Sequence, residues 1–283
     1  MKQLEFKITI SAPAEKVWQI LWNDTTYRHW TSVFHDTSFA KTDWKQGSPV
    51  HFLGGSGDGM YSKIVSKKDN QEMIFEHLGV VKNFIELPMD DETKKWSGSK
   101  EQYFLKETNG DTELIAKVDV VDDFEDYFNS TFPKALEMVK KLAEGKIKEQ
   151  IIIAADVNAP LEKVWDSFTN PKHVTKWNQA SPDWHCPSAE NDLRTGGSFR
   201  STMAAKDGSF SFDFGGTYLN VDPMKSFHYI MEDNREVLVE FIQNEGSVRV
   251  RESFHPEGSN PHEMQRGGWQ AILESFKKYT ESN

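Results

Sequence analysis

Ala159-Pro160-Leu161-Glu162-Lys163-Val164-Trp165 stands 147 residues after Ala12-Pro13-Ala14-Glu15-Lys16-Val17-Trp18, and a second tryptophan, Trp177 or Trp30, follows each copy twelve positions on. The sequence before each copy reads as a strand: residues 4–10 alternate apolar and polar, and residues 151–157 are apolar from their start. Ser11 and Asn158 are residue types that cap helix N-termini, and Pro13 and Pro160 suit a first helical turn, where a missing N–H costs nothing. Val17, Trp18 and Leu21, like Val164, Trp165 and Phe168, then recur at the spacing of one apolar helix stripe. The pattern predicts a strand feeding a capped helix, followed by a short second helix over 24–29 and again over 171–176.

The repetition continues to the end of each half. Strand candidates cover 60–65 and 73–78 in the first half, and 210–214, 218–221, 226–230 and 238–242 in the second. A final hairpin is expected in each: 100–106 and 112–120 flank Asn109-Gly110, a dipeptide suited to the turns that match sheet twist, and 236–243 and 247–254 flank Asn244-Glu245-Gly246. Phe132, Ala135, Leu136, Val139 and Leu142 repeat at helical spacing, as do Trp269, Ile272, Leu273, Phe276 and Tyr279. Whole-domain duplication follows, with domains over 1–145 and 146–283, each α+β, each a curved antiparallel sheet wrapped around a long C-terminal helix.

The chain has 283 residues, 37% of them hydrophobic and 27% charged, which describes two globular domains. Its net charge of −11 is shared by the halves: residues 1–145 hold 18 basic and 24 acidic side chains, the remainder 15 and 20. That field disfavours nucleic acid as a partner. No run of about 18 apolar residues exists, so no membrane insertion is expected, and the single cysteine, Cys186, suits a reducing, cytoplasmic setting.

Ala159-Pro160-Leu161-Glu162-Lys163-Val164-Trp165, Trp177, Gly196-Gly197-Ser198-Phe199, Gly215-Gly216-Thr217-Tyr218 and Gly268-Trp269-Gln270-Ala271-Ile272-Leu273 closely resemble the activator-of-Hsp90-ATPase-homologue-like (AHSA1-like) branch of the START/Bet v 1-like (SRPBCC) superfamily. The resemblance spans about 149–281. Residues 2–144 look like a more divergent copy, in which Thr131 and Phe132 replace the Gly-Trp of the last helix. The resemblance implies helix-grip domains enclosing an apolar cavity. Its members include binders of lipids or aromatic compounds, cyclases, transporters and stimulators of a chaperone ATPase.

Phe210, Phe212 and Phe214 share one face of a strand and suit either an aromatic cavity wall or ordinary core, and Phe199, Tyr218, Phe227, Tyr229, Trp269 and Phe276 could join either. Arg249 and Arg251, two apart on one strand, either point into the cavity to grip a carboxylate or outward as solvated polars. His51, His77 and His228 are candidate bases without an evident nucleophile. His185-Cys186 lacks a third ligand at metal spacing, and the loop 181–187 is expected to cap one end of the sheet. Gly54-Gly55-Ser56-Gly57-Asp58-Gly59 lacks the lysine of a phosphate loop and reads as a hairpin. No catalytic constellation, cofactor or metal site is assigned. The leading expectation is non-catalytic binding of a small apolar or aromatic ligand between sheet and long helix. The alternatives are a protein-interaction or stress-response module related to Hsp90 ATPase activators, with a protein partner, and an enzyme acting on an aromatic or polyketide-like molecule. The sequence leaves the oligomeric state open.

Overall fold

The computed structural model describes residues 1–283, which divide into two units, Met1–Glu149 and Gln150–Asn283. The first runs β1 (Lys2–Ile10), α1 (Ala14–Trp22), α2 (Asp24–Thr31), β2 (Phe39–Lys41), β3 (Pro49–Leu53), β4 (Gly59–Lys68), β5 (Glu72–Lys82), β6 (Ile85–Glu86), β7 (Lys100–Thr108), β8 (Asp111–Val120) and α3 (Glu125–Ala143). The second runs β9 (Ile151–Val157), α4 (Leu161–Thr169), α5 (Pro171–Trp177), β10 (Trp184–Asn191), β11 (Ser198–Ala205), β12 (Ser211–Asp222), β13 (Ser226–Met231), β14 (Glu236–Asn244), β15 (Ser247–Phe254) and α6 (His262–Ser282).

Both sheets are antiparallel and share one order. The first is β1-β8-β7-β5-β4-β3-β2 with β6 beside β5, and the second, read from the same end, is β9-β15-β14-β13-β12-β11-β10. Register shifts in β4 and β12 mark bulges, which bend a strand and raise its twist. Gly215 and Gly216 let β12 run close to its neighbours: a Cβ at either would sit 2.7 Å from a backbone oxygen, of Phe199 or Ile230. The expected pair of strands over 210–221 is therefore one continuous strand. Each unit is one helix-grip fold, a curved sheet followed by one long helix, and the chain carries two of them in tandem.

The repeated sequence signals have repeated physical tasks. The Trp30 indole N–H donates to the Leu21 carbonyl at 3.1 Å, and that of Trp177 to the Ser167 carbonyl at 2.8 Å, so the second tryptophan of each copy ties the short helix to the one before it. Asn23 and Asn170 cap α2 and α5 by accepting from the Thr25 and Lys172 amides. The expected caps at Ser11 and Asn158 are corrected by the structure: Pro13 and Pro160 occupy the N-cap positions of α1 and α4 without a side-chain bond. The Ser11 and Asn158 amides instead donate to Glu144 and Glu281, at 2.9 and 2.8 Å. Each strand-to-helix junction is thus pinned by a carboxylate at the end of the long helix, a pairing that sequence spacing does not reveal.

The first core packs Phe132, Ala135, Leu136, Val139 and Leu142 of α3 against the sheet, all buried. In α6 the buried apolar residues are Leu273 and Phe276, while Trp269 and Ile272 are only partly buried. No helix is long and apolar enough to cross a membrane. Trp30 is 2% exposed, and Trp30→Ala removes its indole and leaves the Leu21 carbonyl without its donor. The variant is expected to lose about 3–5 kcal/mol of unfolding free energy, checked by denaturant titration.

Candidate functional site

A cavity of about 350 Å³ lies between the concave face of the second sheet and α6. Phe199 on β11, Phe214 and Tyr218 on β12, Phe227 and Tyr229 on β13 and Trp269 on α6 line it. They brace one another edge to face: Phe199 lies 4.8 Å from Tyr229, and Phe214 lies 5.7 Å from Trp269, joining sheet to helix. Edge-to-face rings at these separations are favourable. One polar chain crosses the wall: the Tyr218 hydroxyl donates to Asn191 Oδ1 at 2.9 Å, and the Asn191 amide to the Thr169 carbonyl at 2.6 Å.

The first unit closes the same region with its own side chains. Register fixes the correspondence: Ala116 pairs with Phe6 and Tyr103, as Glu252 pairs with Ile153 and Val239. Tyr103 thus stands where the second unit has Val239. Trp22, last residue of α1, stands where α4 ends in Thr169. The Trp22 ring meets Trp44, Phe75 and Tyr103 at 5.2, 5.5 and 5.2 Å. Two large rings become a valine and a threonine in the second unit, and both of those residues line its cavity.

Glu252 is the group that sequence reasoning missed. It lines the cavity and is 8% exposed, and burial pushes its carboxyl up to about 8. No hydrogen bond or ion pair reaches it, and burial is the cause of its shift. Its signal was present, since β15 alternates with Val248, Val250 and Phe254 inward, which puts Glu252 on the apolar face. The Tyr229 phenol is raised by burial and then by the Glu252 charge, and the Tyr218 phenol by burial, so both stay neutral. Arg235 also lines the cavity, but its Nε donates to Asp233 at 2.7 Å.

Phe212 lines the cavity and packs with Phe210 against Trp184, but Phe210 lies just before β12 and is 59% exposed. Phe276 is fully buried against Phe168 and Trp177, at 4.9 and 5.1 Å, and belongs to the core. Arg249 and Arg251 sit on the opposite face from Val248 and Val250, paired with Asp156 and Glu240, so they grip nothing inside. His228 pairs with Glu236 at 2.9 Å. The segment expected to cap the sheet as a loop instead enters the edge strand β10, where the Cys186 thiol is buried, raised by that burial and hydrogen-bonded to the Ser188 carbonyl.

The two histidines of the first unit lie outside this cavity. His51 pairs with Glu86 at 2.7 Å. His77 Nδ1 shares a hydrogen bond with Ser62 Oγ at 2.8 Å, its Nε2 lies 3.4 Å from Glu101, and the Tyr103 hydroxyl donates to Glu101 at 2.5 Å. Serine, histidine and glutamate are the constituents of a hydrolytic triad, but Ser62 is 1% exposed and buried in the sheet, where no substrate carbonyl reaches it. The network satisfies buried polar groups. No group of three or more His, Cys, Asp or Glu side chains is placed to hold a metal ion.

The family model described as activator of Hsp90 ATPase homolog 1-like protein matches residues 158–281. The AHSA1-like protein from Aeromonas hydrophila is 41% identical, over 47% of this chain and 92% of that one, with a TM-score of 0.46. By its second unit, the chain belongs to the AHSA1-like family. Chr148 from Cytophaga hutchinsonii is 51% identical over 47% of this chain and 93% of its own, with a TM-score of 0.43. The Aha1 dimer from Colwellia psychrerythraea is 21% identical over 51% of this chain and 97% of its own, with a TM-score of 0.41. A comparison with curated proteins gave no match.

Glu252 makes stability depend on pH. With its carboxyl raised from 4.5 to about 8, the folded chain keeps a proton that the unfolded chain loses within that window. Stability therefore falls as pH rises from about 4.5 to 8, by at most about 1.4 kcal/mol per unit, and levels off above. Glu252→Gln removes this dependence. Denaturant titrations at pH 5, 6.5 and 8 are expected to show the variant gaining on the parent at each step.

Proposed function

We propose that the second unit is a non-catalytic binding module that encloses a small apolar or aromatic molecule between its sheet and α6. The first unit, on this reading, is a diverged copy of the same module that fills its interior with its own rings. The observation that carries the reading is the ring-lined cavity of about 350 Å³, a volume within the usual range of small-molecule sites. The contrast between Trp22 and Tyr103 in one unit and Thr169 and Val239 in the other supports it, because a packed core is the default for such folds.

The family comparison speaks more directly for a second reading, a protein-interaction module of the co-chaperone type, since residues 158–281 match Hsp90 ATPase activator-like proteins. Exposed Phe84, Ile85, Leu87 and Met89 give the first unit apolar surface of the kind that partners cover. An enzyme acting on an aromatic substrate ranks third: Glu252 would be its acid or base, and such a group needs a reacting partner positioned against it.

Native mass spectrometry of gently purified protein separates the first two readings. A bound apolar molecule near one per chain is expected, and it should disappear in Val239→Tyr, which puts into the second unit the residue that closes the first. Retention of the same molecule by Val239→Tyr, with folding unchanged, would place it elsewhere. A chain without adducts that instead captures an Hsp90-type chaperone would favour the interaction module.

A further inference from the structure

An unpaired carboxyl inside an apolar cavity is costly, and the first unit shows how the fold avoids that cost. Its interior carboxylate, Glu101, accepts from the Tyr103 hydroxyl and lies beside His77. In the second unit Val237 and Val239 stand at the positions of Glu101 and Tyr103, and the carboxyl moves to the neighbouring strand as Glu252, where no protein group meets it. A buried polar group without a partner is either a standing penalty or half of an interaction that a ligand completes.

We infer that the cavity of the second unit accepts an apolar or aromatic molecule bearing one basic nitrogen, whose ammonium group pairs with the Glu252 carboxylate among the aromatic rings. This inference rests on the ligand-binding reading above and adds the chemical class of the ligand. Three observations agree in sign. The cavity's one lining cation, Arg235, is already held by Asp233, and Glu190, exposed, adds a second acidic group to the lining, so the uncompensated charge is negative. The faces of Phe199, Phe214, Tyr218, Phe227, Tyr229 and Trp269 carry the negative side of the ring quadrupole and stabilise a cation stripped of water. The whole chain carries −11, which concentrates cations and repels anions. A neutral hydrogen-bond acceptor would use the protonated carboxyl alone and gain nothing from the other two.

Pairing converts a neutral carboxyl and an ammonium ion into a carboxylate–ammonium pair and releases one proton to solvent. Of the other ionisable groups lining the cavity, Tyr218 and Tyr229 stay neutral, Arg235 stays paired, and Glu190 is exposed, where water screens its charge. Amine affinity therefore rises by up to tenfold per pH unit as pH approaches 8.

The test is isothermal titration of the full chain with 1-naphthylmethylamine, 1-naphthylmethanol, 1-methylnaphthalene and 1-naphthylacetate at pH 7.5. The amine is expected to bind at least tenfold more tightly than the alcohol or the hydrocarbon, and the acetate most weakly. In Glu252→Gln the amine should fall to the level of the alcohol while 1-methylnaphthalene binds as before, which also shows that the variant keeps its cavity. Equal binding of amine and alcohol, or an amine affinity untouched by Glu252→Gln, overturns the inference and leaves the ligand-binding reading standing. Failure of every probe, 1-methylnaphthalene included, overturns both.

Discussion

The concave face of a bent antiparallel sheet and a single helix laid across it enclose more volume than their backbones occupy, so side chains must fill that volume or leave it open. Interiors pack to the density of organic crystals, and filling is the ordinary outcome. The first unit takes it, with Trp22 wedged among Trp44, Phe75 and Tyr103. The second unit keeps the strand order and the tryptophan that ties the short helices together, and replaces the two filling rings by Thr169 and Val239. Because the scaffold is also held by bonds outside the cavity, such as Asn158 to Glu281, the space can open without unpicking the fold.

The same division appears in the charged groups. Both units place a carboxyl toward their interior on neighbouring strands of the final hairpin. Glu101 is satisfied from within by Tyr103, which is also one of the filling rings. In the second unit valines replace both that ring and its acceptor, at 239 and 237, which opens volume, and a carboxyl enters on the neighbouring strand as Glu252, where the first unit has Ala116. The neutral form of Glu252 limits the penalty near pH 7, and the raised carboxyl is the physical record of that compromise.

Much of this architecture is legible in the chain itself. The two Ala-Pro…Trp segments announce duplication, and Asn109-Gly110, both at positive φ, make the tight hairpin turn that their residue types suggest. The cavity is not legible in that way. It is a difference in side-chain volume at positions 169 and 239, seventy residues apart, and no local period reports it. Glu252 sits at an inward position of an alternating strand, and the same alternation turns the more conspicuous Arg249 and Arg251 outward into ion pairs. The amides of Ser11 and Asn158 find glutamates more than 120 residues away, so a cap assigned from neighbouring residues was bound to miss them.

The most direct test of the central claim, an open interior in one unit and a filled one in the other, is a crystal structure of the chain under xenon pressure. Xenon enters apolar cavities and is excluded from packed cores. The account predicts xenon between the second sheet and α6, against Phe214 and Trp269, and none among Trp22, Phe75 and Tyr103. Side chains closed over the second site with no xenon there, or equal occupancy in both units, would contradict it.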